Sequence, residues 1–165
     1  IGPQGASGAY FVMNDQLQST IIADPNISIC SDGSPTGFHP RGHGTFAKMI
    51  ELYVKERKVL SLPEAVRKMT SLPAKTLQIE DRGVLREGMK ADLIIFDPSK
   101  VREKATYPDP FQFAEGFDLV IINGKIAREN GTMVEKKAGA ILKPALATIQ
   151  VADPMHVAYI AGWTQ

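Results

Sequence analysis

The chain has 165 residues, of which 44% are hydrophobic and 22% charged, a composition typical of soluble globular proteins. Its 19 lysines and arginines nearly balance 18 aspartates and glutamates, and this net charge of +1 excludes the basic surface that nucleic-acid binding requires. No apolar run approaches the roughly 18 residues of a membrane span, so we expect no membrane partner. The lone cysteine, Cys30, has no partner for an internal disulfide, which fits a reducing compartment and predicts a cytoplasmic location.

The N-terminus carries no signal-peptide pattern. It begins Ile1-Gly2-Pro3, without an initiator Met and without a charged region followed by an apolar one. Because this start falls within a Gly-rich loop, we expect a processed, truncated or excerpted chain.

Residues 14–79 are predicted to be mainly helical. Asn14 or Asp15 can cap a first helix, and Asp15 is preferred because Gln18, three residues on, can return a capping-box bond. The helix is expected to stop before Pro25, since the residue preceding a proline avoids the helical conformation.

The next segment alternates between a strand, a loop and two helices. Ile27–Cys30 is predicted as a buried strand with Cys30 as a small core residue, followed by a Gly- and Pro-rich loop to Gly44. Thr45 is expected to cap a helix whose apolar stripe is Phe46, Met49, Ile50, Tyr53 and Val54. Ser61 and Glu64 form a capping box for another helix, with a short turn near 73–77 after it. The stripe of that helix is predicted as Leu62, Val66 and Met69, with Ala65 alongside.

Beyond Asp81 the pattern changes to short strands. Gly83 and Gly88 bracket a short strand and turn, and 91–98 is predicted as a central strand. A long ordered loop over 99–117 then leads to a strand at 118–122. Two Asn-Gly pairs are strong hairpin signals and predict a small antiparallel sheet; they are Asn123-Gly124 and Asn130-Gly131.

Two charged residues of the Gly-rich loop are candidates for chemistry. Asp32 follows the predicted strand 27–30, and the carboxyl ends of strands are where active sites assemble in barrel and open α/β folds. There it can act as a general acid or base, although an Asp before Gly also commonly closes a turn. Arg41 can hold a substrate carboxylate with two hydrogen bonds, or it can brace the loop at the surface.

The three histidines do not predict a metal site. A metal requires several converging ligands, and Pro40 and Gly42 argue against a helix that would align His39 with His43. His156 stands alone near the C-terminus. We therefore expect no metal ligands within this chain.

Two later segments resemble the amidohydrolase superfamily, and earlier ones narrow the resemblance. The superfamily segments are 81–97, Asp-Arg-Gly-Val-Leu-Arg-Glu-Gly-Met-Lys-Ala-Asp-Leu-Ile-Ile-Phe-Asp, and Val120–Lys125. Further segments together resemble the N-acyl-D-amino-acid deacylases (D-aminoacylases); they are 31–33, 39–41, 44–46, 67–74, 105–107 and 113–116. The resemblance covers roughly residues 5–144.

The resemblance implies a fold, a reaction and two roles. The implied fold is the C-terminal part of a TIM-type (β/α)8 barrel followed by a small antiparallel β-sandwich domain. Its fold class is therefore α/β plus a small β domain. Residues 1–79 would supply the last barrel strand or strands with their helices, 80–144 half of the composite β domain, and 145–165 a tail of unassigned role. Asp32 maps onto the catalytic aspartate that takes a proton from metal-bound water and delivers it to the leaving amine. Arg41 maps onto the arginine that binds the substrate α-carboxylate.

The resemblance also implies what this chain lacks. The family uses zinc held by ligands on earlier barrel strands, so zinc belongs to the full-length enzyme and its ligands lie outside this chain. We therefore expect hydrolysis of small-molecule N-acyl-D-amino acids by the longer protein and no activity of this chain alone. The alternatives are another superfamily branch, such as a hydantoinase or a dihydroorotase, and a non-catalytic β module used for packing. An uncovered apolar face predicts self-association or pairing with the missing N-terminal portion.

Overall fold

The computed structural model describes residues 12–34 and 37–142, so the predicted tail at 145–165 lies outside the described residues. Four α-helices precede the sheet: α1 (Asp15–Ala23), α2 (Arg41–Lys48), α3 (Leu62–Met69) and α4 (Ser71–Thr76). A π-helical segment (Met49–Glu56) continues α2 directly. The strands are β1 (Leu93–Phe96), β2 (Phe117–Ile122), β3 (Lys125–Glu129) and β4 (Thr132–Met133). Within these described ranges, no helix has the length and apolar content needed to cross a bilayer.

Helix α1 forms where the sequence predicts it, but with a different cap. The Leu17 N–H donates to Asn14 Oδ1 at 2.9 Å, so Asn14 is the N-cap and the preference for Asp15 was wrong. Asp15 lies in the first turn instead, where its charge favours the positive end of the helix dipole. The helix ends at Ala23, before Pro25, as predicted.

The predicted strand at 27–30 is not a strand. The Ile29 N–H donates to the carbonyl of Lys68 in α3, at 3.0 Å, and no described strand lies beside it. A strand requires a neighbouring strand for its hydrogen bonds, and the apolar run alone does not supply one. Cys30 is exposed, which corrects its prediction as a core residue.

Helix α2 begins at Arg41, four residues before the predicted start at Thr45. The Thr45 hydroxyl donates to the Arg41 carbonyl at 2.8 Å and caps nothing. Glycines weaken a helix in isolation, which is why the segment around Gly44 was predicted as loop. In the fold Gly44 is buried against the side chain of Glu103, and a Cβ there would overlap that side chain.

The π-helical segment carries most of the predicted apolar stripe into the core. Met49, Ile50 and Tyr53 are buried, and the wider hydrogen-bonding pattern is visible where the Arg57 N–H donates to the carbonyl of Leu52 at 2.7 Å. One core cluster packs this segment against α1 and α3; it contains Ile22, Met49, Tyr53, Leu60 and Ala65.

Helix α3 begins with the predicted Ser61 cap, whose Oγ accepts from the Glu64 N–H at 3.4 Å. Ala65 is fully buried, as predicted, but the buried face otherwise differs, because Lys68 is fully buried whereas Val66 is 37% exposed. The Lys68 stem packs inside and its Nζ donates to the Asp24 carbonyl. A long lysine stem can therefore replace an aliphatic residue on a helix face, which hydrophobic periodicity does not anticipate.

The sheet is antiparallel with the order β1-β2-β3-β4, which confirms the predicted small antiparallel sheet. Both Asn-Gly pairs have positive φ at each residue and connect β2 to β3 and β3 to β4, as predicted. Strand β1 lies at an edge of this sheet and not at its centre, and the short strand predicted between Gly83 and Gly88 is a series of turns. The described residues form one sheet, so the second layer of the predicted sandwich stays a prediction.

A second core cluster joins the helices to the loop after β1; it contains Ala47, Ile50, Val101 and Ala114. Polar contacts reinforce the junction. Lys55 Nζ donates to the carbonyls of Ser99 and Val101, at 3.0 and 3.2 Å. The Glu103 N–H donates to a carboxylate oxygen of Glu51 at 2.7 Å. The 99–117 segment is thereby fixed beside the π-helical segment and α2, which it continues and where the candidate site lies.

Candidate functional site

The structure brings the two predicted site residues into direct contact. Arg41 Nη2 lies 2.5 Å from Asp32 Oδ2, and Arg41 Nε donates to the Asp32 main-chain oxygen at 3.4 Å. Both side chains are accessible, with 71% of Asp32 and 50% of Arg41 exposed. In the described part of the chain this ion pair is therefore largely open to solvent.

The backbone around Asp32 is tightly folded. Asp32 has a φ of +49°, a left-handed conformation that Asp tolerates better than most residues. The next residue, Gly33, approaches the start of α2 so closely that a Cβ on it would lie 3.1 Å from the Gly42 Cα. This left-handed backbone at Asp32 lies where the side chain meets Arg41, and both interpretations of Asp32, as a turn residue and as an acid or base, stay predictions.

His39 caps the helix that carries Arg41. Pro40 occupies the N-cap position and provides no side-chain cap. The Arg41 N–H donates to His39 Nδ1 at 3.1 Å, and the next three N–H groups donate to the carbonyls of His39 and Pro40 at 2.9–3.2 Å. The first turn of α2 is thus fully hydrogen-bonded, and the His39 ring takes the place of the missing cap.

Aromatic residues of the 99–117 segment surround this end of α2. The Tyr107 hydroxyl lies 3.4 Å from His39 Nε2, and the two rings meet edge to face at 5.1 Å. Phe111 packs edge to face against Phe38 at 5.3 Å and against His43 at 5.6 Å. The predicted loop is therefore an aromatic support for the site.

The charges around His39 favour its neutral form. Partial burial lowers the pKa of His39 first, the Arg41 charge lowers it further, and the Lys48 charge adds a smaller lowering. The Asp32 carboxylate opposes these effects without reversing them. An imidazole whose Nδ1 accepts a hydrogen bond must be unprotonated at that nitrogen, so the lowered pKa agrees with the cap.

The described residues do not fit the metal that the resemblance implies. Within 12–34 and 37–142, no group of three or more His, Cys, Asp or Glu side chains is arranged to hold a metal ion. His39 is engaged in the cap, and His43 packs against Phe111 and Phe113. His156 lies outside the described residues.

Two contributors to the site were missed by sequence reasoning. The sequence assigns His39 no capping role, since the side chains that usually cap helices are Ser, Thr, Asp and Asn. Tyr107 is 68 residues away in sequence from His39, and only the fold brings the two together.

Comparison with known proteins assigns the chain to a family. The model of the amidohydrolase family (Amidohydro_3) matches residues 1–128, well over half of the chain. The chain belongs to the amidohydrolase family. Within the amidohydrolases, it is 36% identical over 146 residues to an N-acyl-D-aspartate deacylase of Alcaligenes xylosoxydans xylosoxydans, covering 87% of this chain and 29% of the relative. Dihydroorotases match over a shorter stretch, in one case 52 residues.

Solved structures of two amidohydrolases are similar. A D-aminoacylase with a binuclear metal centre superposes with a TM-score of 0.77 at 34% identity, over 81% of this chain and 29% of that one. The N-acyl-D-glutamate deacylase of Bordetella bronchiseptica, complexed with zinc and a phosphonate inhibitor, gives a TM-score of 0.70 at 34% identity, over 74% of this chain and 26% of that one. This amidohydrolase chain spans less than a third of the length of these relatives.

Proposed function

We propose that this chain is the C-terminal portion of a zinc-dependent deacylase that hydrolyses the amide bond of N-acyl-D-amino acids. The single observation that carries the proposal is the Asp32–Arg41 contact of 2.5 Å. It puts a carboxylate able to move a proton next to a guanidinium able to bind a carboxylate, which are the two groups that an acyl-amino acid requires. Similarity to deacylases over 87% of the chain supports the substrate class.

The two residues divide the work by their chemistry. The planar guanidinium of Arg41 binds the α-carboxylate of the substrate with two parallel hydrogen bonds. That carboxylate is the same kind of ligand as the Asp32 side chain, so it replaces Asp32 on Arg41. The released Asp32 Oδ2 then accepts a proton from the attacking water and returns it to the leaving amine nitrogen. Substrate binding and release of the base are thereby linked through one arginine.

Zinc supplies a water activated for attack when it is bound. Because the described residues hold no suitable cluster, we assign the ligands to the upstream part of the longer protein. That part would also cover Asp32, whose side chain is 71% exposed in this chain. The chain by itself is then inactive. We also propose that residues 1–79 belong to the barrel and residues 80–144 to the β domain.

Exposed apolar side chains support pairing with that upstream part or with a second copy. Ile94 and Ile95 on the edge strand β1 are 55% and 56% exposed, and Leu85, in the segment before β1, is 86% exposed. Such side chains at a sheet edge favour association. The non-catalytic alternative, a β module used only for packing, rests on the same side chains.

The test compares two proteins. One is the full-length protein encoded by the complete reading frame, purified with zinc, and the other is this chain alone. The complete protein is expected to release the amine from N-acyl-D-amino acids, and this chain is not. Arg41→Lys is expected to raise KM by about tenfold or more, because the ammonium cannot form the paired hydrogen bonds. Arg86→Lys, at an exposed arginine outside the candidate site, is the matched control and should leave KM unchanged. Hydrolysis of cyclic amides in place of acyl-amino acids would favour the hydantoinase or dihydroorotase alternative.

A further inference from the structure

We propose that His39 is a positioning residue for Arg41, acting as a neutral imidazole that caps α2 and is itself oriented by Tyr107. The inference rests on the proposed function, because it concerns how the substrate-binding arginine is held. It assigns roles to two residues that the deacylase mechanism above does not use.

The hydrogen bonds fix both nitrogens of the ring. Nδ1 accepts from the Arg41 N–H at 3.1 Å, so Nδ1 carries no proton. Nε2 then carries the hydrogen of the neutral ring and donates it toward the Tyr107 hydroxyl oxygen, 3.4 Å away. The edge-to-face contact of the rings, 5.1 Å between centroids, holds the imidazole in this orientation. The Arg41 N–H therefore sets the tautomer, and the Tyr107 hydroxyl, which can accept a hydrogen bond, is compatible with it.

The position of Arg41 explains why this cap matters. Arg41 is the first residue of α2, so the N–H that His39 accepts belongs to the residue whose side chain would bind substrate. Its side chain is half exposed, and its guanidinium bonds to both the carboxylate and the main-chain oxygen of Asp32. When a substrate carboxylate replaces Asp32, the backbone anchor at His39 is what keeps the guanidinium in place.

Protonation would remove this anchor. An imidazolium has hydrogens on both nitrogens and cannot accept from the Arg41 N–H. Its positive charge would also face Arg41 and Lys48, with Asp32 as the opposing carboxylate and Tyr107 as a neutral neighbour. Because the pKa of His39 is lowered from 6.5 in the fold, the cap persists at neutral pH and is lost as the pH falls through that lowered value.

Three variants of the complete deacylase separate the cap from the ring. His39→Phe keeps a ring against Tyr107 but has no acceptor, and we expect KM to rise about tenfold with kcat within about twofold. The KM of the parent enzyme is expected to rise at acid pH, where the cap is lost. His39→Asn restores an acceptor near the position of Nδ1 that does not titrate, so its KM stays within about twofold of the parent value and does not rise at acid pH. Tyr107→Phe leaves the imidazole less oriented and gives a KM between these two.

Either of two results would overturn the inference. One is a KM of His39→Phe equal to that of the parent enzyme, and the other is an acid rise in KM that persists in His39→Asn. An independent readout is 15N NMR of the histidine rings of the complete protein, in which the His39 signals are identified by their loss in His39→Asn. The hydrogen is expected on Nε2 at neutral pH, and a hydrogen on Nδ1 would refute the cap. If no N-acyl-D-amino acid is turned over while the Nε2 tautomer is observed, the proposed function fails and the cap stands.

Discussion

A single added methyl group at Gly116 tests the junction between the sheet and the helices. Gly116 has a φ of +86°, and a Cβ there would lie 2.5 Å from the Lys100 carbonyl carbon and from the Val101 nitrogen. The conflict is with backbone, which cannot rotate away as a side chain can. Val101 is fully buried in the cluster that joins the loop to the helices, so relief of the clash disturbs that cluster.

The magnitude follows from two separate effects. A left-handed conformation costs a residue with a Cβ about 1–2 kcal/mol. Forcing an extra methyl into a filled space adds about 1–3 kcal/mol. Gly116→Ala is therefore expected to lower the free energy of unfolding by about 2–5 kcal/mol. Gly124→Ala is the matched control, because its φ is +77° and nothing lies within 4 Å of the added Cβ.

The assay is urea unfolding of this chain and both variants, followed by far-UV circular dichroism. Gly124→Ala should lose only the conformational part, about 1–2 kcal/mol, with an unchanged dependence on urea. The difference in lost unfolding free energy between the two variants then gives the cost of the steric clash with the Lys100 backbone. Equal losses for the two substitutions would refute the packing described for the 99–117 segment.

Two further predictions concern buried polar groups. Burial lowers the pKa of Lys68 below 10.5, so the unfolded chain binds more protons between that lowered value and 10.5. The difference in unfolding free energy between the parent chain and Lys68→Met should therefore rise with pH across that window. Urea unfolding between pH 7 and 10.5 measures this difference, and a value that does not change with pH would contradict the prediction. Tyr53→Phe removes the 3.0 Å hydrogen bond to Gln18 and should cost about 0.5–1.5 kcal/mol in thermal unfolding, whereas an unchanged stability would show that this bond contributes nothing.

The features that the sequence predicts correctly are those with local causes. The Asn-Gly pairs fix the hairpins because both residues adopt positive φ at low cost, and Ser61 caps α3 through a bond only three residues long. Apart from the N-cap of α1, where two adjacent residues could serve, the features predicted wrongly depend on distant partners. Ile27–Cys30 is apolar enough for a strand but bonds to α3 instead, and β1 lies at an edge because its outer neighbour is not among the described strands.

The candidate site shows the same division. Asp32 and Arg41 were selected through short motifs, and the fold places them in contact. The helix start at Arg41 was missed because Gly42 and Gly44 have low helix propensity, whereas packing against Glu103 compensates for it. Tyr107 was not identified as a partner of His39, since no local pattern links positions 68 residues apart.

The most direct test of the central claim is the turnover number of the complete, zinc-loaded protein carrying Asp32→Asn. An amide of the same shape cannot accept the proton of the attacking water, so kcat for N-acyl-D-amino acids should fall by about 100-fold or more. Asp118→Asn, at an exposed aspartate on β2, should leave kcat unchanged. A kcat for Asp32→Asn within about twofold of the parent value would contradict the assignment of Asp32 as the general base.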